Sequence, residues 1–479
     1  MTATSEPYPS ADEPDPPTTR PTIPPELAKQ ILISLIFPTM LMPLASATTR
    51  VALPIIRDDF MIGADVTAWV AAAFTLPFMV LMAVFGRLSD GLGKRRLLLA
   101  GVAIYSIGTV LTVAAPNLAW LIVGRAIQGI GGAGLTPLAM ALIAAIYPSK
   151  ERGSALGAWT TVGPATGFAT PLIAGFLIDQ WGWRMAFMPL LLFCLIALLA
   201  ILYKVPPGLS NIVPGYARRF DWIGAGLLTI SLSFLLFYLS SRPITGIEPL
   251  QDWRLLGVTL IAMAGFIMRE NNHANPFIDL TLFSNPLFSR SAICASLRMF
   301  IQAGLSILLP LYLVDIYDLN AATLGGMLMI TSGSMALVTR AIGKLADRVG
   351  SRLPALVGFG VQALVMLIYS QMPGTTPLWI HVIVLIVYGF GAGAVLVSLH
   401  RTAMVGLSEE QTGTAAGVYG TIRFAGAAVG TALAGVMLQS YLNQNLPELN
   451  AYQSVFFWYT IFPLIGASIV LGLSEPTSE

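Results

Sequence analysis

GRLSDGLGKRR, from Gly86 to Arg96, and GKLADRVGSR, from Gly343 to Arg352, are short charged breaks between long apolar runs, and their first glycines lie 257 positions apart. Each holds a Gly-x-Leu-small-Asp element followed by Gly and cations. A loop motif that returns once in each half of a chain marks internal duplication, so two related helical bundles are expected.

The surrounding composition places those bundles in lipid. Of the 479 residues, 56% are apolar and only 10% charged, with a mean hydropathy of +0.76, whereas soluble chains are about 25% charged. Apolar stretches of about 20 residues suffice to cross roughly 30 Å of hydrocarbon. Fourteen are read here, beginning near residues 29, 66, 97, 117, 153, 185, 221, 253, 290, 321, 353, 378, 413 and 452. The fold expected is an all-α polytopic membrane protein. The 45 glycines suit close helix approach, and Pro137, Pro164 and Pro171 are tolerated within spans.

Charge sets the orientation. With the first link external, sixteen Lys and Arg, from Arg87 and Lys94 through to Arg352 and Arg401, fall in one set of links, against Arg57, Arg184, Arg242 and Arg254 in the other. The positive-inside rule then puts both termini in the cytoplasm, with the chain multi-pass in the cell (inner) membrane. The first 26 residues hold eight prolines and no basic leader, and read as a disordered cytoplasmic tail without a signal peptide. Cys194 and Cys294 lie on different spans, which speaks against a metal site or a disulfide framework. The expected division is a tail over 1–26, a six-helix bundle over 27–206, two inserted helices over 207–288, a second six-helix bundle over 289–473 and a tail over 474–479.

Several strings together resemble the major facilitator superfamily, and the two additional central spans resemble its fourteen-helix drug:proton antiporter branch. They are Gly86, Leu88, Ser89, Asp90, Gly93, Lys94 and Arg95 of the first charged loop, Arg125, Gln128 and Gly129 of GRAIQGIGGAG, and Gly157, Gly163, Pro164, Gly167, Pro171 and Gly175 of the fifth span. TRVALPII, WGWRMAF, NPFIDLTLF and RFAGAAVGTALAG follow in family order. The resemblance implies a major facilitator fold of two pseudo-symmetric six-helix bundles plus two central helices. It also implies an alternating-access carrier that exports hydrophobic or amphipathic compounds on a proton gradient. Phe168 and Ala169 depart from the fifth-span signature, and Ala45 and Arg50 stand where the branch carries Asp and Asn.

The residues suggest matching roles. Gly86, Asp90, Gly93, Lys94, Arg95, Asp347 and Arg348 form a candidate cytoplasmic gate, in which acids at helix ends lock against neighbouring cations. Gly157, Gly163, Pro164, Gly167, Pro171 and Gly175 would give the fifth span close contacts and a soft bend. Arg50, Arg125, Arg298 and Arg423 lie at membrane depth, where each costs at least about 2.5–3.5 kcal/mol unless it faces a wet cavity. Gln128 and Gln302 sit three and four positions from Arg125 and Arg298, on the same faces. These six are the candidate cavity.

All 24 Asp and Glu fall in tails, links or span ends. A cavity lined by guanidinium rather than carboxylate would favour anionic or neutral amphipathic substrates. Proton carriage then has few candidates: His400, His381 and Asp315 at span ends. Trp69, Phe78, Trp159, Phe300, Tyr388 and Phe424 could line a path or simply pack. No Gly-x-x-x-x-Gly-Lys-Ser/Thr loop occurs, so an ion gradient is the expected energy source. Three scattered histidines without an intramembrane acid do not make an enzyme. The alternatives are a lipid or glycolipid exporter and a non-transporting sensor or assembly protein. The expected partners are a small amphipathic substrate, protons and the bilayer; a monomer without cofactor or nucleic acid is expected.

Overall fold

The computed structural model describes residues 24–147, 149–207, 216, 220–273, 278, 280–404 and 409–473, leaving aside the side chains of 90, 149, 150, 152–154, 243, 340, 343, 344, 346–348, 401, 404, 409–414 and 416. Among the described residues there is no strand. The long helices are α1 Pro25–Phe60, α2 Ala64–Leu92, α3 Lys94–Val113, α4 Leu118–Ile146, α5 Ala155–Trp181, α6 Trp183–Lys204, α7 Trp222–Leu239, α8 Trp253–Asn272, α9 Pro286–Tyr317, α10 Ala321–Val349, α11 Arg352–Gln371, α12 Leu378–Met404, α13 Glu409–Asn443 and α14 Glu448–Leu471. Thirteen are long and apolar enough to cross a membrane. The other, α8, carries Arg254, Arg269 and Glu270 near its ends and falls short of that mark.

Packing repeats with an offset of eight helices. In the first half α1 lies on α5 and α6, α2 on α4, and α3 on α4 and α6; in the second, α9 lies on α13 and α14, α10 on α12, and α11 on α12 and α14. The halves meet along α2 with α13 and α5 with α10. Both ends of the described chain lie on one face of the bundle. There Lys204 reaches Gln30, Arg95 reaches the Leu202 carbonyl, and Arg290 reaches the Gly472 carbonyl. This is the terminal end; the α1–α2 turn marks the far end.

Prolines set the irregularities. Pro137 has no N–H for the Ala133 carbonyl and Pro164 none for Thr160, so the helical hydrogen-bond ladder is interrupted at Ala133–Gly134 and at Thr161 while the backbone stays right-handed helical. Within α1 and α9, Pro54 and Pro310 likewise release the carbonyls of Arg50 and Ser306 from the ladder.

Helices α7 and α8 close on each other. Asp221 accepts from the Gly224 N–H at 3.0 Å and from Arg269 at 2.7 Å, and Ser231 donates to the Thr259 carbonyl at 3.1 Å. Helix α7 then lies against α2 and α13, where the Trp69 indole donates to Ser240 at 2.9 Å.

Candidate functional site

A cavity of about 290 Å³ lies between the halves. From the first half, α1 contributes Met42, Pro43, Ser46, Thr49, Arg50 and Leu53, α2 Phe74, Thr75 and Phe78, and α4 Arg125. From the second, α9 contributes Met299, Gln302, Ala303, Ser306 and Ile307, and α13 Phe424, Ala427 and Thr431. Phe78 meets Phe424 edge-on at 4.8 Å, joining the two halves. The wall is mostly apolar with a few convergent polar groups, as small-molecule sites are.

Of the six residues read as a cavity set, Arg50, Arg125 and Gln302 reach the wall. Arg125 is held from several sides: it donates to the Val70 carbonyl at 3.2 Å and to Gln128 at 2.8 Å, and stacks 4.8 Å from the Phe74 ring. Gln128 stands one layer behind, fully buried, and donates to Thr109 at 3.0 Å. Arg50 differs. Its buried Nε has no partner, and no hydrogen bond or ion pair to its guanidinium is found among the described residues.

Arg298 and Arg423 make a second cluster beside the cavity. Arg298 donates to Gln302 at 2.6 Å, which ties the cluster to the cavity wall. Arg423 contacts His400 Nε2 at 2.7 Å, while His400 Nδ1 lies 2.9 Å from the Leu396 carbonyl. A ring that accepts at Nε2 and donates from Nδ1 satisfies both contacts. The Tyr388 and Tyr419 hydroxyls and Arg423 Nε are buried without partners. No carboxylate pairs with any of the four arginines among the described residues; every ion pair found involves other cations.

The far end is shut across the halves. Arg57 on α1 grips Asp315 on α9 at 2.6 and 2.7 Å, and Tyr452 donates to the same carboxylate at 2.6 Å. Asp179 at the end of α5 accepts from the first two N–H groups of α10, Ala321 and Ala322, both at 2.9 Å. Gln439 on α13 accepts from the Ala64 N–H at 2.7 Å. Asp315, also read as a possible proton carrier, here ties the halves together.

The Major Facilitator Superfamily model matches residues 35–431, most of the chain. The chain belongs to the major facilitator superfamily. It is therefore an integral multi-pass membrane protein of a transporter family. Multidrug resistance protein Stp of Mycobacterium tuberculosis is 29% identical over 83% of this chain and 73% of its own length. The tetracenomycin C resistance and export protein of Streptomyces glaucescens is 25% identical over 87% of this chain and 77% of that protein. Among solved structures, a bacterial homologue of the human lysosomal transporter Spinster superposes with a TM-score of 0.65, at 18% identity over 94% of this chain and 97% of that one. That likeness concerns the fold.

Within this major facilitator fold the fifth-span residues divide. A Cβ on Gly175 would overlap the Ala321 carbonyl, and one on Gly325 the Pro171 carbonyl, so α5 and α10 touch backbone to backbone near the far end. Gly157 and Gly167 meet nothing within 4 Å, and Gly163 only Pro43 at 4.0 Å. Of the six residues of that run, Pro171 and Gly175 thus make the close contact with α10, and Phe168, one residue beyond Gly167, continues it by packing its ring on Gly333.

At the first charged loop Gly93 has φ +87°, a left-handed-side conformation that suits glycine and turns α2 sharply into α3. Gly86 faces open space, and Lys94 begins α3. The side chains of Asp90, Asp347 and Arg348 lie outside the described residues. His381 is fully buried, ringed by Tyr312, Tyr317 and Tyr369, with neither ring nitrogen partnered. Trp159 is tied to Thr39 at 2.9 Å and Phe300 stacks on Tyr459, so both pack within their own halves. The sequence reading missed Phe74, Thr49 and Met299 on the wall. It also missed the Arg57–Asp315 tie.

Proposed function

We propose that this transporter belongs to the fourteen-helix drug:proton antiporter branch and works by alternating access, exporting hydrophobic or amphipathic compounds on a proton gradient, with a cavity biased to anionic or neutral substrates. The observation that carries the charge preference is Arg50, a guanidinium on the cavity wall without a partner, beside Arg125 and near the Arg298–Arg423 cluster. In a low-dielectric chamber such a group attracts an anionic headgroup strongly and repels a cation. The apolar wall of Phe74, Phe78, Phe424 and Met299 would take the rest of the molecule. Relatives named for multidrug resistance and for tetracenomycin C export support the export reading.

In this reading the far end is extracellular and the termini are cytoplasmic, in the cell membrane. The ties at Arg57–Asp315 and Asp179–Ala321 then describe a state closed to the outside. Gly86, Asp90, Gly93, Lys94, Arg95, Asp347 and Arg348 would lock the cytoplasmic side in the opposite state. Counterflow in proteoliposomes, with and without an imposed pH gradient, tests the proposal. An anionic amphiphile should exchange faster than a cationic one of equal size and accumulate against its gradient when the pH gradient is applied. Transport confined to cationic amphiphiles would overturn the charge assignment; flux indifferent to the pH gradient would overturn the coupling.

A further inference from the structure

The inserted pair does more than fill space beside the bundle. A second cavity, of about 330 Å³, opens at the far end, bordered by the first turn of α2, the α7–α8 link and the last turns of α13. Its floor is apolar, with Val436 and Met437, and its rim carries Asp65, Arg242, Glu248 and Gln439. That volume is within the range of drug-sized sites.

Asp65 is the unusual member. It is only 6% exposed, yet it forms no ion pair among the described residues. One carboxylate oxygen accepts from the adjacent Val66 N–H at 2.9 Å, and the other has no hydrogen-bond partner. Asp65 lies in the first turn of α2, which favours its charge, and its second oxygen is left open to a donor from a ligand in the cavity. Arg242 leans toward Glu248 at 3.9 Å and is itself substantially exposed, so two carboxylates face one guanidinium at the rim. The local charge is opposite to that of the central cavity.

The geometry points to a second ligand site here, one that takes a monocationic amine bearing an apolar body, with the ammonium on Asp65 and the body over Val436 and Met437. A charge-assisted bond to Asp65 would supply the missing partner. The site also spans both halves. Asp65 belongs to α2 and Gln439 to α13, and the Gln439 carbonyl oxygen already accepts from the Ala64 N–H beside Asp65. A ligand seated there touches the first half, the second half and the inserted link at once. It would bind best when the far end is shut, and by linkage would hold it shut. Cations would thus act on this transporter as external inhibitors, whether or not they are carried.

The test uses the full chain in lipid nanodiscs, with 4-phenylbutylamine and its uncharged isostere 4-phenylbutanol as probes. The amine should bind at least about 10-fold more tightly than the alcohol, and Asp65→Asn should erase that difference. Met437→Trp, which fills the floor and leaves the carboxylate in place, should abolish binding of both and keeps the test decisive should Asp65→Asn fail to fold. Equal binding of amine and alcohol to the unmodified protein, or amine binding that survives Met437→Trp, would overturn the proposal. So would amine binding that tightens in Arg50→Ala, which would place the probe in the central cavity, where this guanidinium repels a cation. The binding readout is independent of flux, so its failure is distinct from failure of the export reading.

Discussion

Arg57 and Asp315, 258 positions apart, clasp one another with two hydrogen bonds of 2.6 and 2.7 Å and so join the far end of α1 to the far end of α9. Tyr452 on α14 completes the arrangement from the second half. Because the side chains are only 19% and 13% exposed, solvent screens this pair less than an ordinary surface bridge.

Asp315→Asn should therefore favour the state open at the far end. Removing one member of a partly buried pair costs about 1–3 kcal/mol, a population shift of about 5- to 150-fold. Spin-label distances between the far ends of α1 and α9 should lengthen in Asp315→Asn and change less in Tyr452→Phe, which leaves the ion pair intact. Unchanged distances in Asp315→Asn would show that the other ties suffice.

Arg50→Ala should reduce transport of an anionic amphiphile about 10- to 100-fold, the worth of about 1.5–3 kcal/mol for a hydrogen bond to a charged group. A neutral analogue should be transported within about 3-fold of its usual rate. Arg50→Lys should restore part of the anionic flux, since it keeps the charge and loses the planar fork. Equal losses for both substrates would make Arg50 a structural residue.

Gly175→Val and Gly325→Val should each prise α5 from α10, because the added atoms meet carbonyls that belong to the facing helix. Overpacking of this kind costs about 1–3 kcal/mol. Gly157→Ala and Gly167→Ala should transport and melt like the unmodified protein, since a Cβ at either position meets nothing within 4 Å. Transport and thermal unfolding measured on all four separate contact from composition.

The Asp221 carboxylate, just outside α7, supplies a pH test. Burial works against its charge, but the Gly224 N–H and the Arg269 guanidinium outweigh that and hold its pKa below the usual carboxylate value. A depressed native pKa gives stability that is present above the unfolded value of about 3.9 and lost as pH falls through the native value. The melting midpoint followed by tryptophan fluorescence should hold steady from neutral pH to about 5 and fall below about 4. Asp221→Asn should lower it at neutral pH and flatten the acid dependence.

Every helix starts within four residues of the point read from the sequence, from Pro25 against residue 29 to Glu448 against residue 452. Hydrocarbon explains that success, because each unpaired peptide group in lipid is so costly that an apolar run of sufficient length must be a helix. The same rule reads α8 less cleanly, since its charged ends shorten the apolar run to the point where composition alone no longer marks a crossing. The four deep arginines were legible for a related reason: they stand out against apolar neighbours, and no acid lies within seven residues of any of them.

What those arginines do was decided only in three dimensions. Sequence treats Arg50, Arg125, Arg298 and Arg423 alike, whereas packing divides them into a wall residue without a partner, a wall residue tied to Gln128 and Val70, and a pair set beside His400 and Gln302. The chain alone thus determined the helices, their duplication and the absence of acid from the middle of the apolar runs, because lipid acts on each segment separately. The meeting of Arg57 with Asp315, the contact of Gly175 with Ala321, and the recess around Asp65 depend on how distant segments are brought together, and no local property of any one segment specifies that.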